Sequence, residues 1–232
     1  MAHMSRLPNL RLPRPRPPVP RPGYSRAENL SDAVVHVTGL GAAIVAVPVL
    51  MWLAVHLHGD ARALTATGIY GATLIAMILF SALYNMIDRP AWNWLLRRLD
   101  HSAIYLKIAG TYTPFVLLAG APGGLLAGLW AAAAAGTALK IFSPQRFRWV
   151  ALALYLGMGW VGVLAGGSLL AELPGAVVVL MMAGGLLYTL GVAFYLWEAL
   201  PYHNTIWHVF VLVATALFYA AVVVQVVATR AP

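Results

Sequence analysis

The chain has 232 residues, 61% of them hydrophobic and only 9% charged, and its mean hydropathy is +0.79. These values lie outside the range of soluble globular domains and define an integral membrane protein with a single polytopic domain. Cysteine is absent, which excludes disulfides, thiolate nucleophiles and cysteine metal sites, and the net charge of +8 must be judged by where the basic residues stand.

Residues 1–27, MAHMSRLPNLRLPRPRPPVPRPGYSRA, read as a disordered Pro/Arg-rich arm, because proline at this density forbids a helix interior. The arm serves as a topology signal or as a contact for anionic head groups. No apolar region follows early enough to make it a cleavable signal peptide. From residue 28 to the C-terminus the chain is one membrane domain. Seven apolar segments, each near the roughly 20 residues a bilayer requires, are expected at 33–55, 64–86, 100–119, 123–142, 149–169, 175–197 and 205–228. The fold class is therefore an all-α seven-helix bundle.

Basic residues set the orientation. Six arginines (Arg6, Arg11, Arg14, Arg16, Arg21, Arg26) precede the first span, and Arg89, Arg97 and Arg98 lie between the second and third. Lys140, Arg146 and Arg148 flank the turn between the fourth and fifth. With a cytoplasmic N-terminus all of these fall on the cytoplasmic side, leaving Arg62 and Arg230 opposite and Lys107 inside the membrane. The expected location is an inner or plasma membrane. Topology thereby accounts for the positive charge, and nucleic acid is not an expected partner; membrane lipids are. A retinal-binding bundle is not expected either, since 205–228 holds no lysine for a Schiff base.

The segment from Arg97 to Phe115, RRLDHSAIYLKIAGTYTPF, carries a polar stripe. At about 100° per residue, Lys107 and Thr111 each fall about 20° from Asp100. Such a stripe is costly against lipid and must face helices or water, which makes Asp100 the leading candidate for chemistry. Lys107, near mid-membrane, is placed for a role in a cavity between helices. Ser81 and Asn85 share a face at the end of the second span, as do Asn204 and His208 at the start of the seventh. His36 lies about a turn inside the first. His101 points about 100° from Asp100 and reads as interfacial, and His56 and His58 read as solvated beside Asp60. Trp52, Trp92, Trp94, Trp149, Trp197 and Tyr202 read as interface anchors. Gly110, Pro114 and Pro48 suggest kinks that open space between helices.

Three stretches resemble a known family in order and spacing: SALYN at 81–85, LDHSAIYLKIAGTYTPF at 99–115 and PYHNTIWHVFVLVATALFYAAV at 201–222. They are similar to the hemolysin III family, the bacterial branch of the progestin and adipoQ receptors, and the opening ENLSDAVVHVTGLG agrees with its first motif. The resemblance implies a zinc site: a serine with a histidine four residues on in the second span, an aspartate opening the third, at whose mouth Asp100 stands, and H-x-x-x-H in the seventh. For members with an intact site it also implies lipid amide hydrolysis of the alkaline ceramidase kind. Carried over, Ser81, Asp100 and His208 match, while Asn85 and Asn204 stand at two of the three histidine positions. An asparagine amide is a poor zinc ligand beside imidazole. The alternatives are weak zinc binding through His208, Asp100 and another histidine such as His36, another cation or none, and a hydrogen-bonded cluster without metal. The reading favoured by the two asparagines is a degraded metal site with a lipid-binding or sensing role. Its rival is a metal-dependent lipid amide hydrolase in which water is activated near His208, Asp100 is the base and Ser81 orients.

Overall fold

In the computed structural model the described residues are 24–142, 147–164 and 167–229. The first 23 residues, which hold most of the expected arm, lie outside them, as do Arg146 and Arg230. The described chain is helical from Arg26 onward, in the order α1 (Arg26–Leu57), α2 (Ala61–Met86), α3 (Pro90–Ala119), α4 (Gly124–Phe142), α5 (Arg148–Leu164), α6 (Gly167–Glu172), α7 (Gly175–Leu196) and α8 (His203–Ala228).

Six of these helices are long and apolar enough to cross a bilayer: α1, α2, α3, α4, α7 and α8. The fifth expected span, 149–169, corresponds to the 17-residue α5 and the start of the 6-residue α6. Residues 165 and 166 between them are outside the described set. The chain is thus a helical membrane bundle.

Local chemistry explains where the helices begin. Ser25 caps α1 in a reciprocal box: its hydroxyl accepts from the Glu28 amide at 3.2 Å, and its own amide donates to Glu28 at 2.8 Å. The helix therefore starts at Arg26, two residues inside the expected arm. Asp60 caps α2 by accepting from the Ala63 amide at 2.7 Å. Pro90 opens α3 in the first turn, where its missing N–H costs nothing. Consequently α3 starts ten residues before the expected span, and Asp100 sits well inside the helix instead of at its mouth.

α3 is the central post, with α2, α4, α5, α6 and α8 packed around it. Two-thirds of its apolar window is buried. Little hydrophobic force acts between helices in lipid, so close approach at small residues supplies the packing. Gly110 shows this directly. A Cβ there would lie 2.9 Å from Thr73 Cβ and 3.0 Å from its Cγ2, so the glycine brings α2 and α3 together and is no mere kink. Gly110→Val is accordingly expected to force the two backbones apart and cost about 1–3 kcal/mol or more. Thermal unfolding in detergent should show a lowered midpoint, and an unchanged one would contradict this packing.

The seam between α1 and α8 positions the site. Glu28 accepts from the Tyr202 amide at 2.9 Å, and this anchors Tyr202, which caps α8 with a left-handed backbone at φ 59°. Such a conformation is disfavoured for a bulky side chain and needs an external partner of this kind. One turn further, Ser31 and Thr205 hydroxyls meet at 3.1 Å. Towards the far end, Tyr219 donates to the Ala46 carbonyl at 2.7 Å.

Candidate functional site

Within this seam, one helical turn beyond Glu28, Asp32 meets α8. Its carboxylate accepts from His208 Nδ1 at 2.5 Å and from the Asn204 amide at 3.4 Å. One turn further along α1, His36 Nδ1 donates to the Asp32 carbonyl at 2.8 Å, which assigns its proton because a carbonyl can only accept. The lone pair of its Nε2 then points to the Ser81 hydroxyl of α2, 3.1 Å away. The His36 and His208 rings stand edge to face, 4.4 Å apart. Asp32, His36 and His208 offer one ligand atom each, all within 4.8 Å of one another, with the two α1 residues buried and His208 half-buried.

A carboxylate with two imidazoles fits a catalytic zinc site, which uses three protein ligands and keeps one position open. Ligand atoms around tetrahedral zinc stand about 3.4 Å apart at ordinary bond lengths, so the three side chains would draw together modestly on binding. The hydrogen bond from His36 to a backbone carbonyl fixes its tautomer, as partners of metal-bound histidines generally do.

The other expected residues gather around this group. Ser81 bonds His36, and the Asn85 amide donates to the Ser81 carbonyl at 2.9 Å and hydroxyl at 3.3 Å. Asn204 donates to Asp32. Both asparagines thus serve as hydrogen-bond donors to neighbours of the cluster. His36, Ser81, Asn85, Asp100, Asn204 and His208 line one cavity of about 1080 Å³ that extends between the helices as far as Phe218. This is at the large end of ordinary ligand pockets. Asp100 is buried in its wall and is not among the three clustered ligand residues.

Lys107, 3% exposed, also lines the cavity. Its ammonium donates to Thr111 at 2.7 Å, on the face the helical spacing predicts, and lies 5.2 Å from the Tyr70 ring and 5.9 Å from Phe218. His203 stacks on Tyr24, whose hydroxyl meets its Nε2 at 2.9 Å, and it stands apart from the cluster. His101, expected at the interface, is half-buried against Tyr84 and lines the cavity instead. His58, expected in solvent, is half-buried and bonds the Val226 carbonyl at 2.8 Å, which ties the first interhelical loop to α8.

Asp32 is the residue that sequence reasoning did not single out. The signal was present as Asp32-x-x-x-His36, an i, i+4 pair on one helix face inside the segment quoted for His36 alone.

The fold and site define a class: a multi-pass helical membrane protein with a buried Asp/His/His cluster at the head of a large internal cavity. A family model described as "Haemolysin-III related" matches residues 24–219. The chain is 42% identical over 207 residues to Hemolysin-3 of Bacillus cereus, spanning 87% of this chain and 93% of that protein. It is 38% identical over 200 residues to the Hemolysin-3 homolog of Bacillus subtilis (strain 168), with 84% and 92% covered. The human Monocyte to macrophage differentiation factor is 31% identical over 172 residues, 66% of this chain and 67% of its own length. This protein belongs to the haemolysin-III-related family.

Proposed function

We propose that this protein binds a divalent metal ion, zinc foremost, through Asp32, His36 and His208, and that the adjoining cavity receives a membrane lipid. The observation that carries the reading is the convergence of these three ligand atoms within 4.8 Å beside a cavity of about 1080 Å³. Asparagine at positions 85 and 204 removes two imidazoles from the family's expected ligand set, and Asp32 with His36 supplies a carboxylate and an imidazole from α1 in their place. Zinc tolerates this exchange, because both nitrogen and carboxylate oxygen are ordinary ligands for it. With the N-terminus cytoplasmic, as the distribution of arginine and lysine supports, the cluster faces the cytoplasmic leaflet of the inner or plasma membrane.

A second reading, metal-dependent hydrolysis of a lipid amide, is favoured by Ser81 and Asp100 sharing that cavity. A bound zinc supplies Lewis acidity at the head of the cavity. In this reading Asp100 would take a proton from water, and Ser81, which bonds His36 and Asn85, would orient the polar head of the substrate.

The test is metal content of the purified, tag-free protein in detergent by elemental analysis, beside His208→Ala. The expected result is near-stoichiometric zinc in the parent and little in the variant. Metal-free parent protein that remains folded would overturn metal binding, leaving a lipid-binding or sensing protein with a hydrogen-bonded cluster.

A further inference from the structure

A second polar group lines the same cavity on the side of α3, α4 and α5, and nothing in the metal reading uses it. Lys140, at the end of α4, is 6% exposed. Among the described residues its ammonium has no carboxylate within 4.0 Å and no hydrogen bond, and its recorded neighbour is the Tyr155 ring at 6.0 Å. Arg97 Nε and His101 Nδ1 are likewise buried without a hydrogen-bond partner. Arg97, His101, Lys140 and Arg148 line the same wall of the cavity together with Tyr155. The same wall also holds the buried carboxylate of Asp100, and Glu198 is engaged by Arg148 at 3.0 Å, so the three cations Arg97, Lys140 and Arg148 outnumber the two carboxylates there by one.

Asp100 and Glu198 offset two of the three cations, and the remaining charge in a low-dielectric wall is unfavourable unless a further anion joins it. A cation that served only as a topology signal would extend its long stem and reach water. Lys140 does the reverse and is buried in the cavity wall. Unused donors from α3 and α4, with Arg148 of α5 beside them, match a group with several charged oxygens better than a single carboxylate. Basic pockets between membrane helices at the cytoplasmic side are suited to anionic lipid head groups. Directly beside these cations, Ile141, Phe142, Trp149 and Val150 are exposed apolar residues on which acyl chains can lie.

We propose that Arg97, Lys140 and Arg148, with His101, form a binding site for the phosphate of an anionic membrane lipid, distinct from the Asp32–His36–His208 cluster. The site rests on the reading that this cavity receives a membrane lipid, but it needs no metal, so metal content and lipid binding can fail separately.

The test uses the full chain in detergent and compares binding of dioleoyl phosphatidic acid, dioleoylglycerol and inorganic phosphate by native mass spectrometry. The parent should retain phosphatidic acid in clear preference to dioleoylglycerol. Lys140→Gln and Arg97→Gln should each weaken that binding roughly fivefold to tenfold, since each removes one cation from the head group. Arg62→Gln, at the opposite end of the bundle, should leave it unchanged. Thermal unfolding of each variant identifies any that are misfolded, and the conservative Lys140→Arg should then restore binding. Equal retention of phosphatidic acid and dioleoylglycerol by the parent would overturn the proposal, as would a Lys140→Gln variant that binds like the parent. Inorganic phosphate bound as tightly as the lipid would overturn the lipid assignment in favour of a soluble anion.

Discussion

Asp32→Ala is expected to be the most damaging single change at the metal cluster, with zinc affinity falling by about a hundredfold or more. Loss of a mere supporting partner typically costs 10–100-fold in metal affinity, and Asp32 is both a candidate ligand and the acceptor that holds His208 and Asn204. The same change leaves two partly buried donors without an acceptor, at about 1–3 kcal/mol each. It should therefore also lower the unfolding midpoint in the absence of metal. Zinc titration of chelator-treated protein reads the first effect, and melting in chelator reads the second. Asp32→Asn separates them, because it keeps the shape and one acceptor oxygen while losing the charge. If Asp32→Asn binds zinc like the parent, the carboxylate is not a ligand.

Asn85→His with Asn204→His should move affinity the other way, raising it by at least about tenfold. Asn85 already sits against Ser81, and Asn204 against Asp32, so imidazoles at both positions would enter the neighbourhood of His208. Four or more nitrogen and oxygen donors would then surround the ion. Isothermal titration with zinc against the parent distinguishes the outcomes. No gain in affinity would mean that positions 85 and 204 do not face the ion, and the ligand set would rest on α1 and α8 alone.

Much of this architecture was legible in the sequence because the bilayer imposes it. An apolar run of membrane length can hardly be anything but a helix, and six of the seven expected spans became such helices. The polar residues Ser81, Asn85, Asp100 and His208 came together on one cavity, since polar groups at membrane depth have few places to go. The start of α3 was hidden because its first ten residues are amphipathic, and a hydropathy reading stops where charge begins. Asp32 was hidden for a different reason. Its importance depends on α1 lying against α8, a contact between residues more than 170 positions apart. Nothing local announces that pairing, although the i, i+4 spacing to His36 hinted at it.

The unequal helix lengths have a further consequence for the surrounding membrane. At 1.5 Å per residue, the 30-residue α3 is about 45 Å long, enough to cross hydrocarbon and head groups together. The 19 residues of α4 give about 28 Å, close to a hydrocarbon core of about 30 Å. The excess length of α3, about 15 Å, must therefore lie at head-group depth, and its first turns, with Trp92, Trp94, Arg97 and Arg98, are the part suited to that zone and fix how deeply the bundle rides in the membrane.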